Sequence, residues 1–408
     1  MGDILFLAHR IPFPPDRGDK IRSHHLLKAL AAMQPVHVAC FGETDADMAA
    51  ESELTEIAKS HCLVRRTKPL PLAGLEALGS GKPVSLTAFE SAALRSWIGT
   101  CLAKHEIDTI FVFSGQMGQY VPADFAGRVV VDLCDVDSAK FEAYGIEGSW
   151  PRKVIDRREG KVLAREEERL AHRADETILI SENEANLFRS RLIVPAGTSI
   201  CAIRNGIDAD LFDPRKVEPH SKLFTASGPQ LVFTGQMDYP PNIVAAERVI
   251  HKILPAIRKH HPDAKFHIVG RAPVAKLLDH DGQDGIRVWG AVPDVKPFLA
   301  AADLVIAPLT IARGIQNKVL EAMAMARPVL LSPEAATGID AQDSVHFAVA
   351  DGDPMMIGRA LTLIDERDEA AEMARAAREY VLARQSWPAM LAPLEAIMRR
   401  PEAKRDAA

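Results

Sequence analysis

Cysteine is scarce and scattered: the 408-residue chain has five, at Cys40, Cys62, Cys101, Cys134 and Cys201. With no Cys-x-x-Cys pair and no zinc-type spacing, a disulfide framework and a structural zinc module are excluded, and the thiols read as reduced, mostly buried and cytoplasmic. Long apolar runs are missing too. None approaches the roughly 18 residues of a membrane span, and the opening MGDILFLAHR has neither a basic leader nor a small-residue cleavage site, so its apolar stretch is expected to be a strand. Positive charge is in deficit, 49 Lys and Arg against 55 Asp and Glu for a net charge of -6, which argues against a general nucleic-acid binder. Neither G-x-G-x-x-G nor G-x-x-x-x-G-K-[ST] occurs, which disfavours a Rossmann dehydrogenase and a P-loop ATPase. There is no repeat array, and the one biased tract is the short polar tail RRPEAKRDAA.

The content that is present, 47% hydrophobic and 25% charged, is that of a soluble globular protein. The length suits two domains of about 200 residues each. Short apolar runs at residues 4–8, 36–41, 62–65, 109–113 and 129–133 read as buried strands, with helical stretches between them at 46–59 and 87–104. Residues 231–233, 266–269, 286–288 and 304–307 repeat the alternation around a helix at 242–259. Strands alternating with helices predict α/β domains with parallel sheets covered on both faces, whose ligands lie beyond the carboxyl ends of the strands.

Four such ends carry candidate chemistry. After the first strand comes HRIPFPPDRGDKIRSHHLLKAL, where Gly18 and the basic residues Arg10, Arg17, Lys20, Arg22 and Lys28 precede or open a helix that Asp19 or its neighbour can cap. The combination suits an anion, against the alternative of a solvated basic turn. After the fifth comes DLCDVDSAKFEAYG, in which Asp132, Asp135 and Asp137 could hold hydroxyls, accept a proton, cap a loop or bind a metal; no further ligand cluster supports the metal. In the second half, Gly235 in FTGQMDYPPN and Gly270 in IVGRAP each end a strand. Residues 150–172 form a densely charged helix of mixed sign, expected as a solvated surface helix.

Residues 312–332, ARGIQNKVLEAMAMARPVLLS, constrain function most. Gly314 ends a polar loop, residues 316–326 are helix formers, and Pro328 precedes a buried strand. At about 100° per residue, Gly314, Asn317, Lys318 and Glu321 share one arc while Val319, Leu320 and Met323 face the other way. A helix N-terminus beside a glycine and a lysine suits phosphate; a carboxylate one turn further in suits ribose hydroxyls. Phosphate and ribose together mean a nucleotide, against the alternative of an ordinary amphipathic helix.

The run NKVLEAMAMARPVL resembles the donor-binding helix of GT-B glycosyltransferases of the retaining family 4, and ARGIQNKVLEAMAM is similar to sugar transferases of PEP-CTERM/exosortase exopolysaccharide systems. That resemblance implies two Rossmann-like domains facing across a cleft, with a C-terminal helix crossing back: residues 1–208 for the acceptor, a linker at 209–228, residues 229–385 for the nucleotide sugar, and a crossover helix and tail at 386–408. It implies transfer of a sugar from a nucleoside diphosphate to a saccharide or lipid-linked acceptor with no protein nucleophile, no metal and no cofactor. Gly18, Gly235, Gly270, Gly314, Asn317, Lys318 and Glu321 are then donor-binding, with Glu321 on the ribose. In the family a second Glu lies eight positions earlier, where this chain has Arg313, and an Arg and a Lys follow the first strand-end glycine, where it has Gln236, Met237 and Asp238. Lys318 and Arg313 are therefore the expected electrostatic aids to diphosphate departure, with Asp135 and Asp137 on the acceptor side. Nucleotide-sugar epimerisation or hydrolysis, and a non-catalytic nucleotide-sugar-binding assembly factor, are the competing functions. Residues 68–86, KPLPLAGLEALGSGKPVSL, are rich in leucine and poor in acid, and loose contact with the inner face of a membrane is expected there, against a loop packed on the first domain.

Overall fold

The computed structural model describes residues 2–147, 150, 152–312 and 314–399. The chain divides into two compact units, Met1–Asn205 with Met390–Ala408, and Gly206–Ala389.

The first unit is built on seven parallel strands, β1 (Asp3–Ala8), β2 (Val36–Gly42), β3 (Ser60–Arg65), β4 (Ile107–Phe113), β5 (Arg128–Cys134), β6 (Glu176–Leu179) and β7 (Ile200–Ala202), in the order β3-β2-β1-β4-β5-β6-β7. Runs such as ILFLA in β1 and VVV in β5 are unbroken because both faces of a parallel sheet are covered, and these residues are buried. The strand order reverses between β1 and β4, the place where such sheets open a crevice.

The second unit holds six parallel strands, β8 (Gln230–Thr234), β9 (Lys265–Val269), β10 (Ile286–Gly290), β11 (Leu304–Ala307), β12 (Val329–Leu331) and β13 (Ala348–Val349), in the order β10-β9-β8-β11-β12-β13. Here the order reverses between β8 and β11. Val319, Leu320 and Met323 enter its core with Phe233, Ile306 and Leu330, which fixes the opposite face of their helix, Asn317–Ala324, toward the strand ends.

Three expectations are corrected. The helix at 46–59 is two pieces, Asp45–Ala49 and Glu51–Ile57, the first started by a capping box between Thr44 and Asp47. The helix at 242–259 widens into a π-turn over Val249–Ile253 just before Pro255, whose missing N–H cannot continue the ladder. The segment at 209–228 is no loose linker: Leu223 is buried, Asp213 pairs with Arg215 and Arg378, and His220 stacks on Phe298, all within the second unit. Near the end of that unit the Ile207 N–H donates to the Gln385 carbonyl, while from Met390 the chain belongs to the first unit, where the Arg128 guanidinium holds the Ile397 carbonyl at 2.6 Å.

Candidate functional site

In the second unit β8 and β9 end side by side at Gly235 and Gly270, with φ of +157° and +152°. A Cβ on Gly270 would lie 1.6 Å from the Gly235 carbonyl oxygen, and a Cβ on Gly235 would lie 2.8 Å from Asn242 Nδ2 and 2.9 Å from Lys318 Nζ. At Gly270 backbone contact as well as conformation requires glycine; at Gly235 conformation selects it, since the tips of Asn242 and Lys318 can move aside. Because β11 neighbours β8, the chain leaving β11 delivers the start of the Asn317–Ala324 helix to this spot.

Lys318, second residue of that helix, donates to Asn242 Oδ1 at 2.6 Å, and its Nζ stands 4.5 Å from the centre of the Phe233 ring. Asn242 is buried and in turn donates to the Gln236 carbonyl at 2.8 Å. Burial pushes the Lys318 ammonium down to about 8, opposed only in part by Glu321. Glu321 lies three residues on along the same face; burial raises its carboxyl above the usual range, and Lys318 pulls it back. Among the described residues none makes a hydrogen bond or ion pair with that carboxylate. A desolvated cation beside a carboxylate with open acceptor positions leaves both charged forms short of partners, which a ligand bearing phosphate and hydroxyl groups would supply.

Gly314 has φ of +69° with nothing within 4 Å of a Cβ, so conformation alone selects glycine there; it and Asn317 are exposed. Arg313 lies outside the described residues. Two residues that sequence reasoning did not single out join the group. Asn242, the last residue of PPN at a helix start, anchors Lys318, and no local pattern signals that role. Arg271, directly after Gly270, donates to Gln236 Oε1 at 2.9 Å and adds a cation beside the strand-end glycines. A base directly following a strand-ending glycine was the available signal for Arg271. Met237, two residues after Gly235, is buried in the core.

In the first unit Arg10, Arg17, Lys20 and Arg22, around the anion site expected after β1, are held by protein carboxylates. Arg10 pairs with Asp19 at 2.6 Å and Glu43 at 3.0 Å, Arg17 with Asp19 at 2.8 Å, Lys20 with Asp47 at 2.5 Å, and Arg22 with Asp132 at 2.8 Å. Gly18 opens the helix Gly18–Met33 itself, preceded by Arg17 with no side-chain cap, and a Cβ there would meet nothing within 4 Å. Asp19 sits in the first turn and ties His9 and Arg10 to the helix instead of capping it. Asp132 is fully buried in its pair with Arg22, whose other arm reaches Asn205 at 2.8 Å. Asp135 and Asp137, at the end of β5 and half exposed, share the Lys140 ammonium at 2.7 and 3.2 Å. Ser114 and Cys134, at the ends of neighbouring β4 and β5, hold φ of +77° and +65°, strained values for non-glycine residues that are often kept where a site needs a particular backbone. Among the described residues, potential metal ligands gather at Asp3, His37 and His105, at the opposite ends of the strands; there Lys59 at 2.6 Å and His37 at 2.9 Å already take one Asp3 oxygen.

Comparison with known proteins bears on the fold and on the second unit. Residues 228–382 match the family model of the glycosyl transferases group 1, so the second unit carries a domain of that kind. HepE from Anabaena, solved in complex with UDP, shares 16% identity over 97% of this chain and 98% of its own, with a TM-score of 0.59. It has also been solved with UDP-glucose. Sucrose-phosphate synthase from Thermosynechococcus elongatus shares 16% over 97% and 98%, with a TM-score of 0.57. WaaG, a glycosyltransferase involved in lipopolysaccharide biosynthesis, shares 16% over 98% and 100%, with a TM-score of 0.55. At these identities the likeness establishes the fold, two Rossmann-like α/β units of the GT-B type. No curated protein matches the sequence significantly.

Proposed function

We propose that this protein is a glycosyltransferase that takes a sugar from a nucleoside diphosphate and places it on a hydroxyl of a saccharide or lipid-linked saccharide. The observation that carries the reading is the half-buried Lys318 and Glu321 pair beside two stacked strand-end glycines, within the stretch that matches the glycosyltransferase family model. The diphosphate lies against Gly235, Gly270 and the first turn of the Asn317–Ala324 helix, with Lys318 and Arg271 neutralising it and Gly314 and Asn317 bordering it. The Glu321 carboxylate accepts from the ribose hydroxyls. UDP is the first nucleotide to test, since HepE binds it.

In the reaction the bond from the anomeric carbon to the diphosphate oxygen breaks, a bond to the acceptor oxygen forms, and the acceptor proton passes to the departing diphosphate or to a carboxylate such as Asp135 or Asp137. Charge grows on the diphosphate as that bond breaks, so Lys318 acts more on the transition state than on the bound donor. Resemblance of residues 312–331 supports the finer reading of retained stereochemistry without a metal, in exopolysaccharide assembly. Isothermal titration with UDP and 2′-deoxy-UDP tests the donor site. Loss of a charge-assisted pair of hydrogen bonds, about 1.5–3 kcal/mol, should weaken UDP binding to Glu321→Ala roughly 10- to 150-fold. Equal binding of both nucleotides by the wild type, with unchanged affinity in Glu321→Ala, would remove Glu321 from the ribose. Loss of the sugar to water at the same rate with and without acceptors would favour hydrolysis instead.

A further inference from the structure

We propose that the first unit docks on an anionic phospholipid bilayer through a face made by the helices Leu70–Ser80 and Arg152–Arg173. The inference does not depend on the donor site.

Leu70–Ser80 has its amphipathicity turned inside out. Ala73 and Ala77 are fully buried, whereas Leu75 and Leu78 are 68% and 66% exposed and Leu72 is 48% exposed. At 100° per residue these leucines cluster opposite the two alanines, with Pro71 and Gly79 among them, so the outward face carries no charge. Glu76, the helix's one acid, is held by Lys68 at 2.7 Å. Burying alanine and exposing leucine reverses what a solvated helix does, and contiguous exposed apolar surface of this kind marks an interaction site.

The long helix supplies the charge. Over residues 152–165 its two acids, Asp156 and Glu159, are buried, while Arg152, Arg157, Lys161 and Arg165 are exposed. Over that stretch the mixed-sign helix of the sequence therefore exposes one sign, and further on the partly buried Glu166 pairs with Arg169. Val154, Lys161 and Arg165 lie along a single outward stripe. On one side of it Arg158 donates to the Ala77 and Lys82 carbonyls at 2.6 and 3.2 Å, joining the leucine helix. On the other side Arg157 donates to the Gly145 carbonyl at 2.9 Å, beside exposed Tyr144 and Ile146. The basic stripe is thus flanked by apolar residues on both edges.

Protruding leucines interleaved with cations of a single sign match a bilayer whose headgroups are anionic. The apolar tips enter the acyl boundary, the lysine and arginine stems lie along it, and their charged heads reach lipid phosphates. A surface for a second copy of the chain would need acids opposite these bases, and the one exposed acid of these two helices, Glu76, is already taken by Lys68.

The test is co-sedimentation of the full-length protein with vesicles of phosphatidylcholine alone and of phosphatidylcholine with 30% phosphatidylglycerol, at low and high salt, with sedimentation equilibrium in parallel. The wild type should partition at least about tenfold more strongly onto the anionic vesicles and lose most of that advantage at 0.5 M salt. Leu72→Gln/Leu75→Gln/Leu78→Gln should weaken binding at least about tenfold on both vesicle types, and Lys161→Glu/Arg165→Glu should abolish the preference for anionic lipid. Unchanged melting temperature and UDP titration in both variants separate loss of docking from misfolding or loss of the donor site. The proposal is overturned if the wild type stays in the supernatant with anionic vesicles, if the leucine variant binds as the wild type does, or if the leucines instead hold together a dimer that does not bind vesicles.

Discussion

If Lys318 is a desolvated lysine awaiting a diphosphate, binding must take up a proton. Its ammonium sits at about 8 because burial disfavours the charge and Glu321 offsets this only partly. At pH 8.5 such a group is neutral about three-quarters of the time, against about a tenth at pH 7. A phosphate charge about 4 Å away contributes roughly 4 kcal/mol at an effective dielectric constant near 20, about three pKa units, so Lys318 becomes fully protonated in the complex. UDP binding at pH 8.5 should therefore absorb about 0.75 proton from the buffer, where the diphosphate itself is already ionised. Titrations in Tris and in TAPS, which differ widely in ionisation enthalpy, give that number from the slope of apparent enthalpy against buffer enthalpy. Lys318→Met should abolish the uptake and also raise the melting temperature, since the buried charge costs roughly 2–3 kcal/mol near neutral pH. A slope near zero in the wild type while UDP binds, or an unchanged slope in Lys318→Met, would refute the reasoning.

Asn242→Asp places a carboxylate where the amide oxygen now holds Lys318, so it should raise the lysine's pKa and erase the proton uptake measured in the same titrations. Gly270→Ala should cost at least about 3 kcal/mol in urea unfolding, because its Cβ would need the space of the Gly235 carbonyl oxygen 1.6 Å away; an unaltered midpoint would mean that the two strand ends can part. Glu167, buried and bonded to the Ser138 N–H and hydroxyl, is pushed up to about 7 by desolvation. Its folded-state pKa lies above the unfolded value of 4.5, so its contribution to stability is complete below about 4.5 and is lost as pH rises through about 7. Relative to Glu167→Gln, the wild type should lose roughly 3 kcal/mol of unfolding free energy over that range, and parallel pH profiles of the two proteins would contradict it.

How far the sequence reached depended on whether the signal was local. Runs such as ILFLA and VVV announce buried parallel strands by themselves, because a strand covered on both faces needs no polar alternation. The face of the helix bearing Lys318 and Glu321 follows from helical periodicity alone, and Val319, Leu320 and Met323 are buried as that periodicity requires. Gly235 and Gly270 were legible as strand ends. That Gly270 excludes a side chain on account of the Gly235 carbonyl was not, since the contact spans two strands. Only the tertiary structure decided which charges were already compensated. The bases at 10–22 look like an anion site until Glu43 from just after β2, Asp47 from the helix Asp45–Ala49 and Asp132 from β5 arrive. Residues 152–173 look solvated and mixed in sign until packing removes Asp156, Glu159 and Glu167 from the surface. Lys318 and Asn242 meet across 76 positions. Periodicity belongs to near neighbours along the chain, whereas the charge a site presents depends on desolvation and on partners that the fold brings from far away.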